Sequence, residues 1–298
     1  MRPKNLQQMV GQNQVKEVVR TLINSAKLSN EPVKHFLATS PSGYGKTSLA
    51  YITANEIGSN VFTINCGNVS KPKQVLSIIE SMNDRDVLFL EECHSLPKKA
   101  QEYLYTILED FVYHDEYGNK IAVPKITIIG ATTNSGLLNP PFRSRFNFTA
   151  QFIPYTLNEL TSICFLVCKE KGFTLNRDIA ELITKTCRNT PRNVVARTNW
   201  VYDWMVTNKV KSVNQQKLLE IIALQGINSQ GLDYNDIQYL KNLSYTPTSL
   251  NQISSKISLD KSQIQSIIEP ELLKLGLIQI STKGRILTRK GIDYIKGI

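Results

Sequence analysis

Paired cysteines, clustered histidines and long apolar runs are all missing from this chain, and each absence excludes a class of protein. Five cysteines spread over 298 residues make no disulfide framework. Cys164 and Cys168 stand four apart on an expected helix, but no second pair nearby completes a zinc-binding spacing. All five are read as reduced, mostly buried thiols. The histidines, His35, His94 and His114, are scattered and build no catalytic constellation. No apolar stretch is long enough to span a bilayer. The opening Met-Arg-Pro-Lys-Asn-Leu-Gln-Gln lacks the apolar core of a secretory signal, so a cytoplasmic location without a membrane partner is expected. Internal repeats and low-complexity tracts are absent as well.

Acidic residues are in short supply: 25 against 35 lysines and arginines, a net charge of +10. Such an excess attracts polyanions, nucleic acid above all. Hydrophobic residues make up 41% of the chain, enough for an ample core, and the length calls for two or three domains.

From about residue 11 to 150, strand-like and helix-like segments alternate. Val61–Ile64, Asp86–Leu90 and Ile126–Ile129 read as short, almost wholly apolar strands, and Val75–Ile79 and Ala100–Phe111 as helices between them. That alternation predicts a parallel, doubly wound sheet. After Pro154 the pattern turns helical: Leu157–Lys171, Asp178–Arg188, Asn193–Val206 and Asn214–Leu224. Gly226–Gly231 reads as a polar linker. From Leu232 onward three helices precede strands Leu277–Ile280 and Arg285–Thr288, which flank a turn at Ser281–Gly284. This is the pattern of a winged helix. Expected boundaries are 1–154 for the α/β domain, 155–227 for a helical lid and 228–298 for the winged helix.

The most telling stretch is Ser40-Pro-Ser-Gly-Tyr-Gly-Lys-Thr47, set between the apolar Phe36-Leu-Ala and a helical pattern. Strand, glycine-bearing loop and helix N-terminus together make a phosphate cradle. Lys46 would reach the outer phosphates of ATP and Thr47 would ligate Mg²⁺. Ser42, Gly43, Tyr44, Gly45 and Ser48 complete the cradle. Strand Val87–Leu90 ends in Glu91-Glu92, where open α/β sheets place ligands. Glu91 would hold Mg²⁺ through water, and Glu92 would polarise the attacking water. Thr132, closing the next strand, is placed to sense the γ-phosphate. Arg143 and Arg145 follow the stiff Pro140-Pro141 turn and suit a finger acting on a neighbouring subunit. Arg145 is preferred, and spacing alone does not separate the two. Arg192, after Pro191 at a helix start, would contact phosphates from the lid. Lys283, Arg285, Arg289 and Lys290 cluster at the terminal hairpin as candidate DNA contacts.

In this order the motifs resemble those of the AAA+ ATPases and, within them, the RuvB family of Holliday-junction branch-migration motors. The resemblance runs from Arg2-Pro-Lys-Asn-Leu6 and Val10-Gly-Gln12 through Gly43–Thr47, Val87–Glu92, His94, Leu108–Phe111, Ile129–Thr133, Arg143–Phe146 and Thr190–Arg192. It ends with Ile268–Ile278 and Lys283–Arg285. It implies that Arg2, Pro3, Val10, Gly11 and Gln12 lie against the adenine. It also implies a ring, hexameric in the family, that moves duplex or branched DNA in recombination, repair or replication. The hairpin between Val112 and Val123 would dock the junction-binding partner RuvA. This sequence departs from the family at Ser40, Ser42 and Glu91. Two other readings stay open. One is a clamp- or helicase-loader-like switch; the other is a nucleotide-gated DNA-binding protein with little turnover.

Overall fold

The computed structural model describes residues 2–243 and 246–297. The chain divides into two compact units, Met1–Ile163 with Thr190–Arg192, and Cys164–Asn189 with Asn193–Ile298.

The first unit begins with helix α1 (Asn13–Ser29) and strand β1 (Phe36–Thr39), followed by α2 (Lys46–Ile57) and β2 (Val61–Asn65). Next come α3 (Pro72–Glu80), β3 (Val87–Glu91), α4 (Lys98–Asp110) and a short hairpin, β4 (Val112–His114) with β5 (Lys120–Ala122). Strand β6 (Thr127–Thr132), helix α5 (Pro140–Arg143) and strand β7 (Phe148–Gln151) complete the set. Five strands form one parallel sheet in the order β2-β3-β6-β1-β7. Its central strands are largely apolar and buried because both faces are covered. On β3, Leu88 and Leu90 enter one core cluster, while Val87 and Phe89 enter the other. Leu37 and Ile128 join the first, and Phe36, Ala38, Ile129 and Ala131 the second. Alternation along each strand thus feeds two layers.

One expectation shifts in detail. Helix α4 stops at Asp110, and Phe111, expected as its last residue, caps it with a left-handed backbone at φ 55°. The hairpin turns at Asp115–Asn119. There the Asp115 carboxylate accepts from the backbone N–H groups of Tyr117 (2.9 Å) and Asn119 (2.8 Å), and from the Asn119 amide (2.9 Å).

In the second unit, α7 (Arg177–Lys185) buries Ile179, Ala180 and Ile183, and α9 (Gln215–Ala223) buries Leu218, Ile221 and Ile222. Asn176 and Asn214 cap the two helices with their side chains. Helices α6 (Leu157–Lys171) and α8 (Pro191–Thr207) contribute their C-terminal stretches. Beyond them stand α10 (Tyr234–Asn242), α11 (Leu250–Ile257) and α12 (Lys261–Gln263). A π-helical turn at Ile264–Ile268 connects α12 to α13 (Glu269–Lys274). Pro270 explains that turn, since its ring and missing N–H disrupt regular bonding one turn back. The wing is β8 (Ile278–Ser281) paired with β9 (Gly284–Leu287), followed by α14 (Arg289–Lys296). Helix α14 lies outside the expected pattern. Thr248 adds a bridge to Arg285, with both backbone bonds at 2.9 Å. Gly284, at φ 137°, permits it: a Cβ there would come within 2.7 Å of the Thr248 carbonyl oxygen. Among the described residues, no helix is long and apolar enough to cross a membrane.

Candidate functional site

Sheet order brings the separate motifs together. Strand β6 lies between β1 and β3, with Thr39 level with Thr132 and Leu90 level with Gly130. The loop after β1, the acids after β3 and Thr132 therefore share the carboxyl edge, the usual ligand edge of such sheets.

Lys46 is the first residue of α2, preceded by Gly43 and Gly45 at φ 82° and 109°. Its Nζ donates to the carbonyl oxygens of Ser40 (2.7 Å) and Pro41 (3.1 Å) and to Ser40 Oγ (3.3 Å). Burial pulls its pKa below the ordinary lysine value; the Glu92 charge opposes this and the Arg192 charge adds to it. Ser40 Oγ in turn donates to the Pro41 carbonyl at 2.9 Å. Thr47 and Ser48 sit half-buried on the first turn of α2, and Ser42 is exposed.

Glu91 closes β3, and Glu92 follows in a left-handed conformation at φ 50°. A non-glycine residue held there costs of order ~1–3 kcal/mol, so its surroundings must fix it. Glu92 Oε2 accepts from the Thr133 N–H (3.0 Å) and the Thr133 hydroxyl (2.9 Å). His94 Nδ1 lies 3.3 Å from the same oxygen and 2.8 Å from Thr132 Oγ1. Asn134 N–H donates to that Thr132 hydroxyl at 3.0 Å. Glu92 and Thr132 are thus joined by two residues that sequence reasoning did not assign, Thr133 and His94. Their signal was present: His94 stands two residues after the acid, and Thr133 adjoins Thr132.

Arg192 also belongs to this unit. Its guanidinium is 3.3 Å from Ser42 Oγ, and its N–H points to the Gly43 carbonyl at 3.4 Å. The N-terminal segment is more varied. Gln12, fully enclosed, exchanges two bonds with the Ile153 backbone at 2.8 and 3.0 Å. Gly11 beside it is buried, while Pro3 and Val10 are half-buried. Arg2 stacks its guanidinium 4.3 Å from the Tyr51 ring centre. Tyr44 meets the Tyr155 ring edge-on, and the Tyr155 hydroxyl donates to the Tyr44 carbonyl at 3.0 Å.

Arg145 is braced. Nη1 donates to the Pro141 carbonyl (2.7 Å), the guanidinium lies 4.3 Å from the Tyr105 ring centre, and Nε is 3.1 Å from Glu109 Oε1. That last pair has charge proximity without hydrogen-bond alignment. Arg143, at the end of α5, is exposed.

The wing corrects one expectation. Arg285 turns inward: its Nε and Nη2 donate to the Glu269 carboxylate at 2.8 and 3.3 Å, and the Tyr239 hydroxyl donates to the same carboxylate at 2.9 Å. Its guanidinium answers a buried acid and is not presented to a phosphate. Lys283 remains exposed at the wing tip. Arg289 and Lys290 lie on the first turn of α14, where Lys290 Nζ donates to the Leu275 carbonyl at 2.8 Å.

Among the described residues, no cluster of three or more His, Cys, Asp or Glu could hold a metal by itself. The donor set fits MgATP all the same. Mg²⁺ takes one or two protein ligands and fills its shell with phosphate and water, and Thr47 on the first turn of α2 and, through water, Glu91 at the end of β3 would be the residues to hold it.

Residues 1–152 match the family model of the Holliday junction DNA helicase RuvB P-loop domain, and residues 229–296 that of the RuvB C-terminal winged helix domain. The chain is 31% identical to the Holliday junction branch migration complex subunit RuvB of Thermotoga petrophila, over 99% of this chain and 92% of that protein. The Ehrlichia canis protein of the same description is 33% identical, over 99% and 93%. Among solved structures, the Thermotoga maritima RuvB Holliday junction branch migration motor aligns with a TM-score of 0.88 at 32% identity. That alignment covers 99% of this chain and 98% of the other.

Proposed function

Because this chain belongs to the RuvB family, we propose that it is an ATP-driven motor that moves the branch point of Holliday-junction DNA, working as a ring of identical subunits. One observation carries the reading: at the carboxyl edge of the sheet Glu92 is linked to Thr132 through Thr133 and His94, while Lys46 and Arg192 hold the adjacent loop through Ser40, Pro41 and Ser42. A clamp- or helicase-loader-like switch would account for that edge, but the winged helix at 229–296 matches the RuvB C-terminal domain.

The working parts are 1–154 for nucleotide chemistry, 155–227 as a lid and 228–298 for DNA. MgATP supplies the cleavable anhydride and a divalent charge. Lys46 exchanges its carbonyl partners for the outer phosphate oxygens, a stronger, charge-assisted contact. Thr47 and Glu91 hold Mg²⁺, and Arg2, Pro3, Val10, Gly11 and Gln12 frame the base. Glu92 leaves Thr133 to accept a proton from water, and His94 and Thr132 fix the side from which it swings. Arg192 reads the phosphates from the lid side. Arg145 acts on the neighbouring subunit's site; its bracing keeps the guanidinium from wandering, as preorganised charge requires. Arg143 is the rival for that role. Lys283, Arg289 and Lys290 meet DNA phosphates, which suits sliding without sequence preference. The hairpin of β4 and β5 offers a docking point for the junction-binding subunit RuvA. The motor acts where DNA is, in the cytoplasm.

Steady-state ATP hydrolysis with and without a four-way DNA junction tests the reading, with displacement of a homologous junction followed in parallel. Hydrolysis stimulated by the junction and accompanied by displacement is the expected result. Nucleotide binding with negligible turnover, or turnover without displacement, would overturn it.

A further inference from the structure

A motor of this kind must carry a change at the nucleotide loop to the winged helix, and residues 186–192 hold contacts at both ends of that path. Thr190–Arg192 pack in the first unit, with Arg192 on Ser42 and Gly43. Immediately before them, in the second unit, Arg188 reaches toward the start of the winged helix.

Arg188 Nη2 donates to Asp233 Oδ2 at 2.9 Å and more closely still to Asp236 Oδ2, and Nε faces the Gly231 carbonyl at 3.4 Å. The same Asp236 oxygen receives the Asp233 N–H at 2.7 Å. Asp236 is fully enclosed. Burial pushes its carboxyl pKa up, and the Arg188 guanidinium is the main opposing influence. Arg188 and Asn189 are both left-handed, at φ 50° and 51°. Two successive non-glycine residues hold that conformation only where the surroundings over-determine it.

The stretch expected to be a linker is also tied down. Asn228 Oδ1 accepts from the N–H groups of Gln230 and Leu232, each at 3.0 Å, and its amide donates to the Tyr294 hydroxyl at 2.6 Å. Those bonds fix the stretch on the winged-helix side, and the Arg188 ion pairs tie it to the lid.

We propose that Arg188 is a positioning residue of the motor, whose ion pair with Asp233 and Asp236 makes the winged helix move with the segment that carries Arg192. This rests on the ATP-driven motor reading. Without that ion pair, displacement at Thr190–Arg192 is absorbed at residues 226–231, and hydrolysis proceeds without useful movement of DNA.

The test is the coupling ratio, junction displacement per ATP hydrolysed, measured on the full-length protein with RuvA and a mobile four-way junction. Arg188→Gln should keep ATPase activity within about twofold of wild type while the ratio falls by about fivefold or more. Arg188→Lys, which keeps the charge but loses the fork, should fall between the two. Arg188→Gln strands a buried carboxylate and risks misfolding, so Asp233→Asn is the second variant. Asparagine caps α10 as well as aspartate does and removes one arm of the ion pair, so a smaller drop in the same ratio is expected. An unchanged ratio in folded Arg188→Gln overturns the proposal, as does an unchanged ratio in Asp233→Asn if Arg188→Gln fails to fold. A wild-type protein that neither hydrolyses ATP nor displaces the junction sinks the motor reading itself, before any variant is compared.

Discussion

Lys46 and Arg285 are both cations that sequence reasoning aimed at phosphates, yet the structure treats them in opposite ways. Lys46 donates to neutral oxygens, two carbonyls and a hydroxyl, and feels the Glu92 and Glu91 charges only at a distance, so its charge is available to an arriving anion. Arg285 is half-buried against a carboxylate that is itself only 5% exposed, so its charge is already neutralised within the protein. The partner, more than the depth, separates an available cation from a structural one.

Breaking that comparison at Lys46 should have the largest effect. Lys46→Ala leaves the outer phosphates without a counter-charge, and ATP turnover should fall by roughly 100-fold or more. Mixing it with Arg145→Ala subunits should restore part of the activity, because an intact loop then faces an intact finger; this is read from the ATPase rate against mixing ratio. Failure of the mixture to exceed either parent would remove Arg145 from a trans role.

Glu92→Gln should come next. An amide cannot take the proton, so turnover should drop by about 100-fold or more while nucleotide binding, followed by fluorescence titration, persists. Retained turnover would move the base elsewhere, with His94 the nearest alternative.

The other side of the comparison predicts a loss of stability rather than of chemistry. Arg285→Ala strands the Glu269 carboxylate and should cost about 3–5 kcal/mol in denaturant unfolding of the winged helix. Lys283→Ala should leave that stability intact but lower the salt dependence of duplex binding by about one phosphate contact. If Arg285→Ala instead matched Lys283→Ala in both measurements, the inward assignment would be wrong.

At neutral pH the smallest expected effect concerns His35, a buried base that accepts the Ile128 N–H at 2.9 Å. Burial lowers its pKa from 6.5 to about 4, with the Lys34 charge adding to the shift. The unfolded chain therefore takes up a proton at higher pH than the folded one. The contribution is complete above about 6.5 and is lost as pH falls toward about 4, up to ~3 kcal/mol in all. His35→Asn keeps an acceptor there and should flatten stability across that window, as seen in melting temperature against pH.

Much of this was legible from local pattern. Apolar runs located β3 and β6, and the glycine-bearing loop with Lys46 and the Glu91–Glu92 pair stood out because their chemistry lies in contiguous residues. What escaped depends on partners far along the chain. The Arg285 partner lies 16 residues away in α13, and nothing beside Arg285 announces it. His94 looked isolated because Thr132, its neighbour at 2.8 Å, is 38 residues distant. Helix α14 was missed because the run Leu277–Thr288 read as the end of the fold, whereas Thr288 caps a further helix through the Gly291 N–H.

The Asp115 turn bears on the kinetics of recognition. One carboxylate fixes the backbone from Asp115 to Asn119 and presents Tyr117, 89% exposed, at its tip. A protein that grips this tip meets a single preset shape and loses little conformational freedom in holding it. Loosening the turn with Asp115→Ala would leave every contacting side chain in place and still slow capture, because only a fraction of tips would have the right shape at the moment of encounter.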